Sequence, residues 1–338
     1  MKDVAARAGV STKTVSNVVR GWPNVAPATR ERVQQALTEL DYRMNRSAQT
    51  LKSGHSHIIT LVVPWLDSPY FAEITTLVMR EAATLAYSVI VEQTDGDAAR
   101  ERAVLSRLTG QLTDGLIYSP ISLETSEIQS ALTQDLPVVV FGERVPFGMC
   151  DQIVIDNVEA ARQVTKHLIS IGRKRIAMIG SPSAGLPERS AAMRLDGYVQ
   201  ALTEAGLSPS PDMQVDVQIF SRAEGERAMD ELLVGATRPD AVFCASDLLA
   251  MGALRSIRRH GLHVPDDIAV AGFDDIEEGR FSNPTLTTIR PNKVAIAQSG
   301  VRSLIDRIQW ASDYRHTSVP PRRITPDHEL VVRESTTR

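Results

Sequence analysis

Apolar positions in the first forty residues recur at helical spacing in three short segments. The apolar faces are formed by Val4, Ala5 and Ala8 in the first segment, by Val15, Val18 and Val19 in the second, and by Val33, Leu37 and Leu40 in the third. Residues three or four apart share one side of a helix. The pattern therefore predicts three helices, the third over Thr29–Leu40, that close a small core.

The break between the first two helices carries its own signals. Gly9 can adopt the positive φ that ends a helix, and Ser11 is a good N-cap for the next one. The second helix then presents Thr12, Lys13, Ser16 and Asn17 on its solvent side. This is the layout of a helix-turn-helix, whose second helix reads DNA. The alternative is a solvated helical cap with incidental charge.

From Ile58 onward, apolar runs of strand length alternate with helical segments of 10–15 residues. Strands are predicted at 58–64, 87–93, 115–120, 137–142 and 151–156, and after a restart at 175–180, 215–220, 240–245 and 267–272, followed by a strand at 285–289, a helix at 293–310 and a terminal strand at 329–333. Strands that are apolar on both faces indicate parallel sheets covered by helices. Two such lobes imply a cleft in which a small ligand is held.

Charge is divided unevenly along the chain. Residues 1–56 hold nine Lys and Arg against four acids, a net charge of +5, whereas the remainder carries −9. A basic end on an acidic body is the electrostatic pattern of phosphate binding confined to that end. No apolar run reaches membrane-spanning length and no signal peptide opens the chain, so we expect a cytoplasmic protein.

Motifs of enzyme chemistry are missing from the sequence. It contains no Gly-rich dinucleotide loop, P-loop, nucleophile elbow or zinc-binding HExxH, so no catalytic residue, metal site or cofactor is expected. Cys150 and Cys244 are expected to be reduced and partly buried. A secreted ligand-binding protein is a third class, against which the basic first segment and the missing signal peptide both argue.

Several spaced motifs resemble the LacI/GalR family of bacterial transcription regulators. The matching segments are 3–5, 8–11, 14–16, 29–33, 40–42, 69–74, 194–198, 246–252, 272–275 and 286–289, together with Asn45, Ala48 and Leu51. They occur in family order along the whole chain.

The resemblance implies an all-α helix-turn-helix head over residues 1–44 and a hinge helix with linker over 45–56. It also implies an α/β body of two lobes like that of periplasmic binding proteins, with parallel sheets and helices on both faces. The first lobe would comprise 57–156 and 289–319, and the second 157–288 and 320–338. Three connections would join the lobes, near Asp156-Asn157, Leu286–Thr288 and Val319–Ile324.

Members of this family act as homodimers on near-palindromic double-stranded operators. This chain ends without the leucine zipper that makes some members tetramers, so a dimer is expected. By the resemblance, Thr12, Lys13 and Asn17 read bases, Ser11, Thr14, Ser16 and Asn45 contact the DNA backbone, and Ala48 and Leu51 enter the minor groove.

Three residues depart from the family pattern. Asn17 stands where many members have Arg, and Asn prefers adenine whereas Arg prefers guanine. Met44 replaces the proline usual before the hinge, and Ala26 stands where Ser or Thr often caps the third helix.

The resemblance also implies an effector site between the lobes, for a sugar or sugar derivative or, alternatively, a nucleobase or other non-sugar co-repressor. Its expected residues are Arg194 and Asp274, which grip the ligand, the aromatic residues Tyr70, Phe71 and Phe220, and Ser246. Each has a plainer alternative: a surface charge for Arg194, a loop cap or salt bridge for Asp274, core packing for the aromatics and N-capping for Ser246. Glu143, Arg144, Asp156 and Asn157 are weaker candidates. The implied function is a repressor whose operator affinity changes when ligand closes the lobes.

Overall fold

The computed structural model describes residues 1–19, 22–41, 55–108, 113–131, 136–146, 148–182, 189–313 and 319–337. The chain divides into two compact units, Met1–Ser56 and His57–Arg338. The expected hinge residues Asn45, Ala48 and Leu51, and Met44 before them, lie outside the described residues. No helix within the described ranges is long and apolar enough to cross a membrane.

The first unit contains the three predicted helices, α1 (Lys2–Ala8), α2 (Thr12–Val19) and α3 (Pro27–Glu39). Gly9 ends α1 with a φ of 64°. Ser11 caps α2, because its Oγ accepts a hydrogen bond from the backbone N–H of Thr14 at 3.1 Å. The helix-turn-helix prediction is confirmed by these elements.

The core of this unit is closed by Val4, Val15 and Val33, none of which is exposed. Leu40, expected on the same apolar face, is instead 44 % exposed. Helix α3 ends one residue before it, so Leu40 no longer follows the helical period, and Ala36, one turn after Val33, takes the inner position.

The second unit alternates strands and helices as predicted. In chain order they are β1 (Ile58–Val63), α4 (Pro69–Thr84), β2 (Ser88–Gln93), α5 (Ala98–Leu108), β3 (Gly115–Tyr118), α6 (Thr125–Ala131), β4 (Val138–Phe141), β5 (Asp151–Ile153), α7 (Asn157–Ser170), β6 (Ile176–Pro182), α8 (Arg189–Glu204), β7 (Gln214–Val217), α9 (Arg222–Val234), β8 (Ala241–Cys244), α10 (Asp247–Arg259), β9 (Ala269–Phe273), α11 (Glu277–Phe281), β10 (Thr287–Pro291), α12 (Lys293–Asp313), β11 (Arg323–Ile324) and β12 (His328–Val331). A 3₁₀ turn, Pro211–Met213, precedes β7.

These strands form two six-stranded sheets, one in each lobe. The first has the order β11-β5-β4-β3-β1-β2 and is parallel throughout. The second has the order β12-β10-β9-β8-β6-β7 and is parallel except for β12, which runs antiparallel to β10. The two-lobed α/β prediction is confirmed, with this one strand reversed.

Burial on both faces explains the continuous apolar run of β1. Ile59, Leu61 and Val63 pack into a cluster with residues of α4 and α12, whereas Val62 packs on the other face with residues of α5. Because successive strand residues point to opposite faces, both sets must be apolar.

The second connection between the lobes lies slightly later than expected. All of β10 pairs with second-lobe strands, up to Pro291 beside His328. The chain therefore crosses after Pro291 and not at Leu286–Thr288, and the expected boundary between residues 288 and 289 divides a strand.

The third connection is also later, because β11 belongs to the first sheet. Arg323 and Ile324 pair with Gln152 and Ile153 of β5. The expected assignment of residues 320–338 to the second lobe is therefore corrected, since crossing occurs between β11 and β12. A two-residue strand carries no periodicity, so its hydrogen-bond partners could not be read from the sequence.

The segment after β12 packs back onto the second lobe. Ser335 is fully buried, and its Oγ donates to the backbone carbonyl of Val270 at 2.6 Å while accepting from the N–H of Thr287 at 2.8 Å. This segment joins strands β9 and β10 at the start of β10, the end opposite to the second crossing.

Candidate functional site

The outer face of α2 presents polar side chains from a helix anchored by buried valines. Thr12 and Lys13 are exposed, and Ser16 and Asn17 are half-buried. Ser11 and Thr14 hydrogen-bond each other through their hydroxyl groups at 2.9 Å, besides forming the cap of the helix. The capping contacts hold the first turn of α2 rigid beneath Thr12 and Lys13.

The turn between α2 and α3 is fixed by its own contacts. The backbone N–H of Trp22 donates to the carbonyl of Asn17 at 2.9 Å, and the Trp22 carbonyl accepts from Arg30 Nη2 at 2.6 Å. Arg7 and Glu39 pair at 2.6 Å and join α1 to the end of α3. The angle between the helices is thus set independently of the polar face.

Arg194 is buried in the second lobe and is held on three sides. Its Nε donates to Asn157 Oδ1 at 2.8 Å, its Nη1 donates to the carbonyl of Ala245, and its guanidinium lies 3.6 Å from the ring centre of Phe273. It is only 6 % exposed, which excludes a solvated surface charge. These contacts leave N–H groups of the guanidinium available to a ligand.

Asp274 follows β9 directly, at the carboxyl end where parallel sheets bind ligands. Its backbone has a φ of 115°, and its N–H donates to the carbonyl of Ile289 at 2.9 Å. Within the described part of the chain, no hydrogen bond or ion pair occupies its carboxylate. Burial raises the pKa of Asp274 to about 6, against the lowering effects of Arg194 and Lys293.

The adjacent Asp275 has a different environment. Its fully buried carboxylate pairs with Arg333 and Arg290 at 2.5 Å each and with Arg280 at 3.0 Å. Burial raises its pKa, but these hydrogen bonds outweigh that effect and hold it below the ordinary value. Asp275 is therefore saturated by the protein, whereas Asp274 is open to a ligand.

Tyr70 and Phe71 begin α4 in the first lobe and are both half-buried. Their rings meet edge to face at 5.2 Å, and the Phe71 ring lies 6.4 Å from that of Trp65. The pKa of the Tyr70 hydroxyl is raised mainly by burial and then by the charge of Asp274, with Arg194 acting in the opposite direction. The structure thus brings Tyr70, Arg194 and Asp274 together.

Ser246 and Phe220 both make contacts that stabilise the second lobe. Ser246 caps α10 by accepting from the N–H of Leu249 at 3.3 Å, and Phe220 packs against the core of the second lobe. Asp247, next to Ser246, is fully buried and accepts from Thr288 Oγ1 at 2.6 Å and from the N–H of Ile276 at 2.9 Å. Burial and the charge of Asp274 raise its pKa.

Asn157 connects the lobes at the first crossing. Its Nδ2 donates to Glu143 Oε1 at 3.0 Å in the first lobe, while its Oδ1 accepts from Arg194 in the second. Glu143 also accepts from the N–H of Ile155 at 3.2 Å, and burial raises its pKa. Glu143 and Asn157, which the sequence indicated only as weaker candidates, therefore belong to the cluster around Arg194. Arg144, by contrast, donates to the Leu123 carbonyl in the first lobe.

Two charged residues of this cluster were missed from the sequence. Lys293 and Glu73 pair at 2.5 Å, and both influence the pKa of Asp274. Glu73 lies one turn after Tyr70 on α4, and that spacing is the signal that could have identified it.

A cavity of about 860 Å³ lies beside this cluster, with walls from both lobes. Its lining residues are Ala72, Glu73, Thr76, Leu77, Arg80, Asp275, Arg280, Arg290, Pro291, Asn292, Lys293, Val294, Asp327, His328 and Glu329. It contains Asp275 but not Asp274, Arg194 or Tyr70, so the Glu73–Lys293 pair lies between the cavity and the cluster around Asp274.

Among the residues that the structure describes, no group of three or more His, Cys, Asp or Glu is placed to hold a metal ion. Cys150 is half-buried and Cys244 is buried, and both are free thiols. Burial raises the pKa of Cys150 to about 11, which disfavours its reactive thiolate.

Comparison with known families gives two matches along the chain. The family model for bacterial regulatory proteins of the lacI family matches residues 1–45. The model for a periplasmic binding protein-like domain matches residues 165–336.

Relatives of known function match over nearly the full length. An HTH-type transcriptional repressor PurR of Histophilus somni is 34% identical over 338 residues, which cover 99% of this chain and 98% of that protein. A ribose operon repressor of Haemophilus influenzae is 34% identical over 320 residues, covering 94% and 95% respectively.

Solved structures agree with these relatives. The lac repressor dimer bound to operator and the anti-inducer ONPF superposes with a TM-score of 0.83 at 30% identity, covering 99% of this chain and 98% of that one. A transcriptional regulator CelR–cellobiose complex gives a TM-score of 0.74 at 32% identity with the same coverage.

Proposed function

The chain belongs to the lacI family of bacterial regulatory proteins, and we propose on that premise that a small ligand held between its lobes controls its affinity for an operator. Like its repressor relatives, it is a DNA-binding transcriptional regulator and not an enzyme. The observation that carries the proposal is the cluster of Arg194, Asp274 and Tyr70, which draws on both lobes.

For DNA reading, we assign base contacts to Thr12, Lys13 and Asn17. Their support is their place on the outer face of a short helix whose inner face is buried. Ser11, Thr14 and Ser16 are assigned to phosphates, and Asn45, Ala48 and Leu51 to the hinge contacts. An amide at position 17 favours adenine at the matching base pair.

We further propose that the protein binds a near-palindromic operator as a homodimer. One chain carries one helix-turn-helix, so two-fold symmetry of the protein requires two related half-sites on the DNA. The related lac repressor structure is a dimer bound to operator. A regulator of bacterial operators acts in the cytoplasm, where the chromosome lies.

The ligand is assigned to the face of Arg194 and Asp274 with Tyr70 and Phe71. The open Asp274 carboxylate accepts hydrogen bonds from hydroxyl or ring N–H groups, and the Arg194 N–H groups donate to ligand oxygens. The aromatic rings offer faces against which a sugar or a planar base packs. Ser246 and Phe220 are retained as outer members of this site.

Two ligand classes fit this chemistry. A sugar is supported by the cellobiose complex and by the ribose operon repressor among the relatives. A nucleobase is supported by the relatives named PurR, which favour this second class. A thermal-shift screen against ribose, cellobiose, adenine, guanine and hypoxanthine separates the two.

Ligand binding would close the lobes and change the hinge between head and body. A ligand that favours the DNA-free arrangement induces transcription, whereas one that favours the operator-bound arrangement is a co-repressor. Coupling of this kind is typically about 1–3 kcal/mol.

Two variants with complementary losses test the proposal. Removal of residues 1–54 should abolish binding to an operator selected from random DNA, measured by fluorescence anisotropy, while the thermal shift with the active screening compound remains. Asp274→Ala should keep operator affinity without ligand but lose that thermal shift.

A matched control is Asp212→Ala, an exposed acid of the second lobe in the 3₁₀ turn before β7. It should behave as wild type in both measurements. A shortened chain that still binds operator would contradict the head assignment, and a full thermal shift in Asp274→Ala would contradict the ligand site.

A further inference from the structure

We propose that Lys293, paired with Glu73, positions Asp274 from across the cleft and so ties the ligand-binding carboxylate to the angle between the lobes. The proposal rests on the assignment of Asp274 as a ligand group. It assigns a positioning role to two residues that contact the site from the first lobe.

Lys293 holds groups of both lobes at once. It is the first residue of α12, a helix whose Ile296 and Val301 pack into the core of the first lobe. Its Nζ lies 2.5 Å from Glu73 Oε2 on α4, also in the first lobe, and donates to the backbone carbonyl of Asp275 in the second lobe at 3.1 Å. Only 8 % of Lys293 is exposed, so these partners take the place of water around its ammonium group.

The bonded carbonyl belongs to a strained corner. Asp274 and Asp275 have φ values of 115° and 46°, a region that residues other than glycine rarely adopt. The Asp275 carboxylate anchors this corner to Arg290 and Arg333 within the second lobe. Lys293 holds the corner from the first lobe. Its replacement should remove this contact and leave the ion pairs of Asp275 within the second lobe in place.

Charge gives Lys293 and Glu73 opposite effects on Asp274. The charged or titratable groups facing Asp274 are Arg194 of α8, Lys293 of α12, Glu73 and Tyr70 of α4, and Asp247 of α10. Beyond the effect of burial, Lys293 lowers the pKa of Asp274 and Glu73 raises it. Replacing each residue by a neutral one should therefore move this pKa in opposite directions.

The location of the pair supports coupling to lobe movement. Glu73, Lys293 and Asp275 all line the 860 Å³ cavity whose walls come from both lobes. Rotation of one lobe against the other changes the distance between those walls. The bond from Lys293 to the Asp275 carbonyl therefore forms at one range of lobe angles and breaks outside it.

The test compares Lys293→Met and Glu73→Gln in the full chain with the control Arg302→Met. Arg302 pairs with Glu81 at 2.8 Å and joins the same two helices, α12 and α4, through an ion pair that lies within the first lobe. The pKa of Asp274 is measured from the carboxyl ¹³C shift, assigned with Asp274→Asn. Backbone hydrogen exchange of residues 271–280 is followed by mass spectrometry.

We expect Lys293→Met to raise the Asp274 pKa and Glu73→Gln to lower it, because loss of a nearby positive charge disfavours the carboxylate and loss of a negative charge favours it. Lys293→Met should also speed exchange in residues 271–280, whereas Arg302→Met should change neither quantity. Equal signs for the two variants, an unchanged pKa, or an Arg302→Met effect as large as that of Lys293→Met would overturn the proposal.

Neither measurement needs a ligand, so this result is separate from the ligand assignment. If Asp274→Ala keeps its thermal shift, the ligand site is refuted while the tie to Asp275 can still be observed. If the pKa and exchange results fail, the ligand site can still stand on the Asp274→Ala result.

Discussion

Two neighbouring aspartates show how a single backbone corner can give adjacent carboxylates different environments. Asp275 points into a cage of arginines that neutralises it, and its role is to fix the loop after β9. Asp274 faces the cleft, where burial raises its pKa to about 6 and no protein group among those described bonds its carboxylate. A ligand that bonds this carboxylate relieves an unfavourable burial of charge.

At this scale we predict that Asp274→Asn stabilises the ligand-free protein at neutral pH. The folded-state pKa of about 6 lies above the ordinary 3.8, so the folded state binds more protons in that interval. Stability contributed by Asp274 is therefore present below about pH 4 and lost as the pH rises through 6. The melting temperature of Asp274→Asn should exceed that of wild type at pH 8.

The same comparison at pH 5 provides the control, because wild-type Asp274 is then mostly protonated. The gap in melting temperature should shrink as the pH falls from 8 to 5. A gap that stays constant would mean that the substitution acts through packing and not through charge.

Residues of the site differed in how far the sequence could identify them. Arg194 and Asp274 stand in motifs with recognisable spacing, and the structure places them together. The Glu73–Lys293 pair joins positions more than two hundred residues apart, and nothing in a sequence states which of many charges will meet. Ser246 was expected as a ligand group or as a helix cap, and the structure shows the cap.

Among the helices, α3 begins without a side-chain N-cap, and adding one should stabilise it. Ala26 precedes Pro27 with an extended backbone (φ −53°, ψ 138°) and makes no side-chain capping bond, so the N–H groups of the first turn have no side-chain acceptor there. We predict that Ala26→Ser raises the free energy of unfolding of the isolated head by about 1 kcal/mol, the usual value of such a cap. Urea titration followed by circular dichroism measures it.

Ala28→Ser is the matched control, since it adds the same hydroxyl two residues later, inside the exposed first turn of α3. It should give no gain, because serine within a helix is less favourable than alanine. Equal stabilisation by both substitutions would show that the hydroxyl does not act as a cap.

Long elements followed from periodicity, and short ones did not. The run of β1 and the helices of both lobes were predictable because burial imposes a repeat over many residues. Helix α11 and strand β11 have five and two residues, too few to display a repeat. Leu40 was misplaced for a related reason, because the apolar pattern does not specify where α3 ends.

For the whole molecule, the division of charge separates two kinds of binding. The head carries +5 and the body −9, so attraction to phosphate is confined to the head. We predict that operator affinity falls by about 10³-fold or more between 50 and 200 mM KCl if the dimer makes at least about six phosphate contacts. Anisotropy titrations at four salt concentrations give the slope.

Residues 55–338 alone serve as the control, because their negative charge repels DNA. They should show no DNA binding even at 50 mM KCl. Retained binding by this fragment, or a shallow slope for the full chain, would place a DNA contact on the body.

The late position of β11 has a consequence for synthesis of the protein. The three helices of the head lie within the first forty residues, so they can fold as soon as they leave the ribosome. The first sheet, by contrast, cannot complete its edge until Arg323–Ile324 emerges, after the whole of the second sheet except β12 has been made. At about 5–20 residues per second this takes on the order of 15–60 s. In a newly made chain, the three helices of the head can therefore fold before the two lobes are complete.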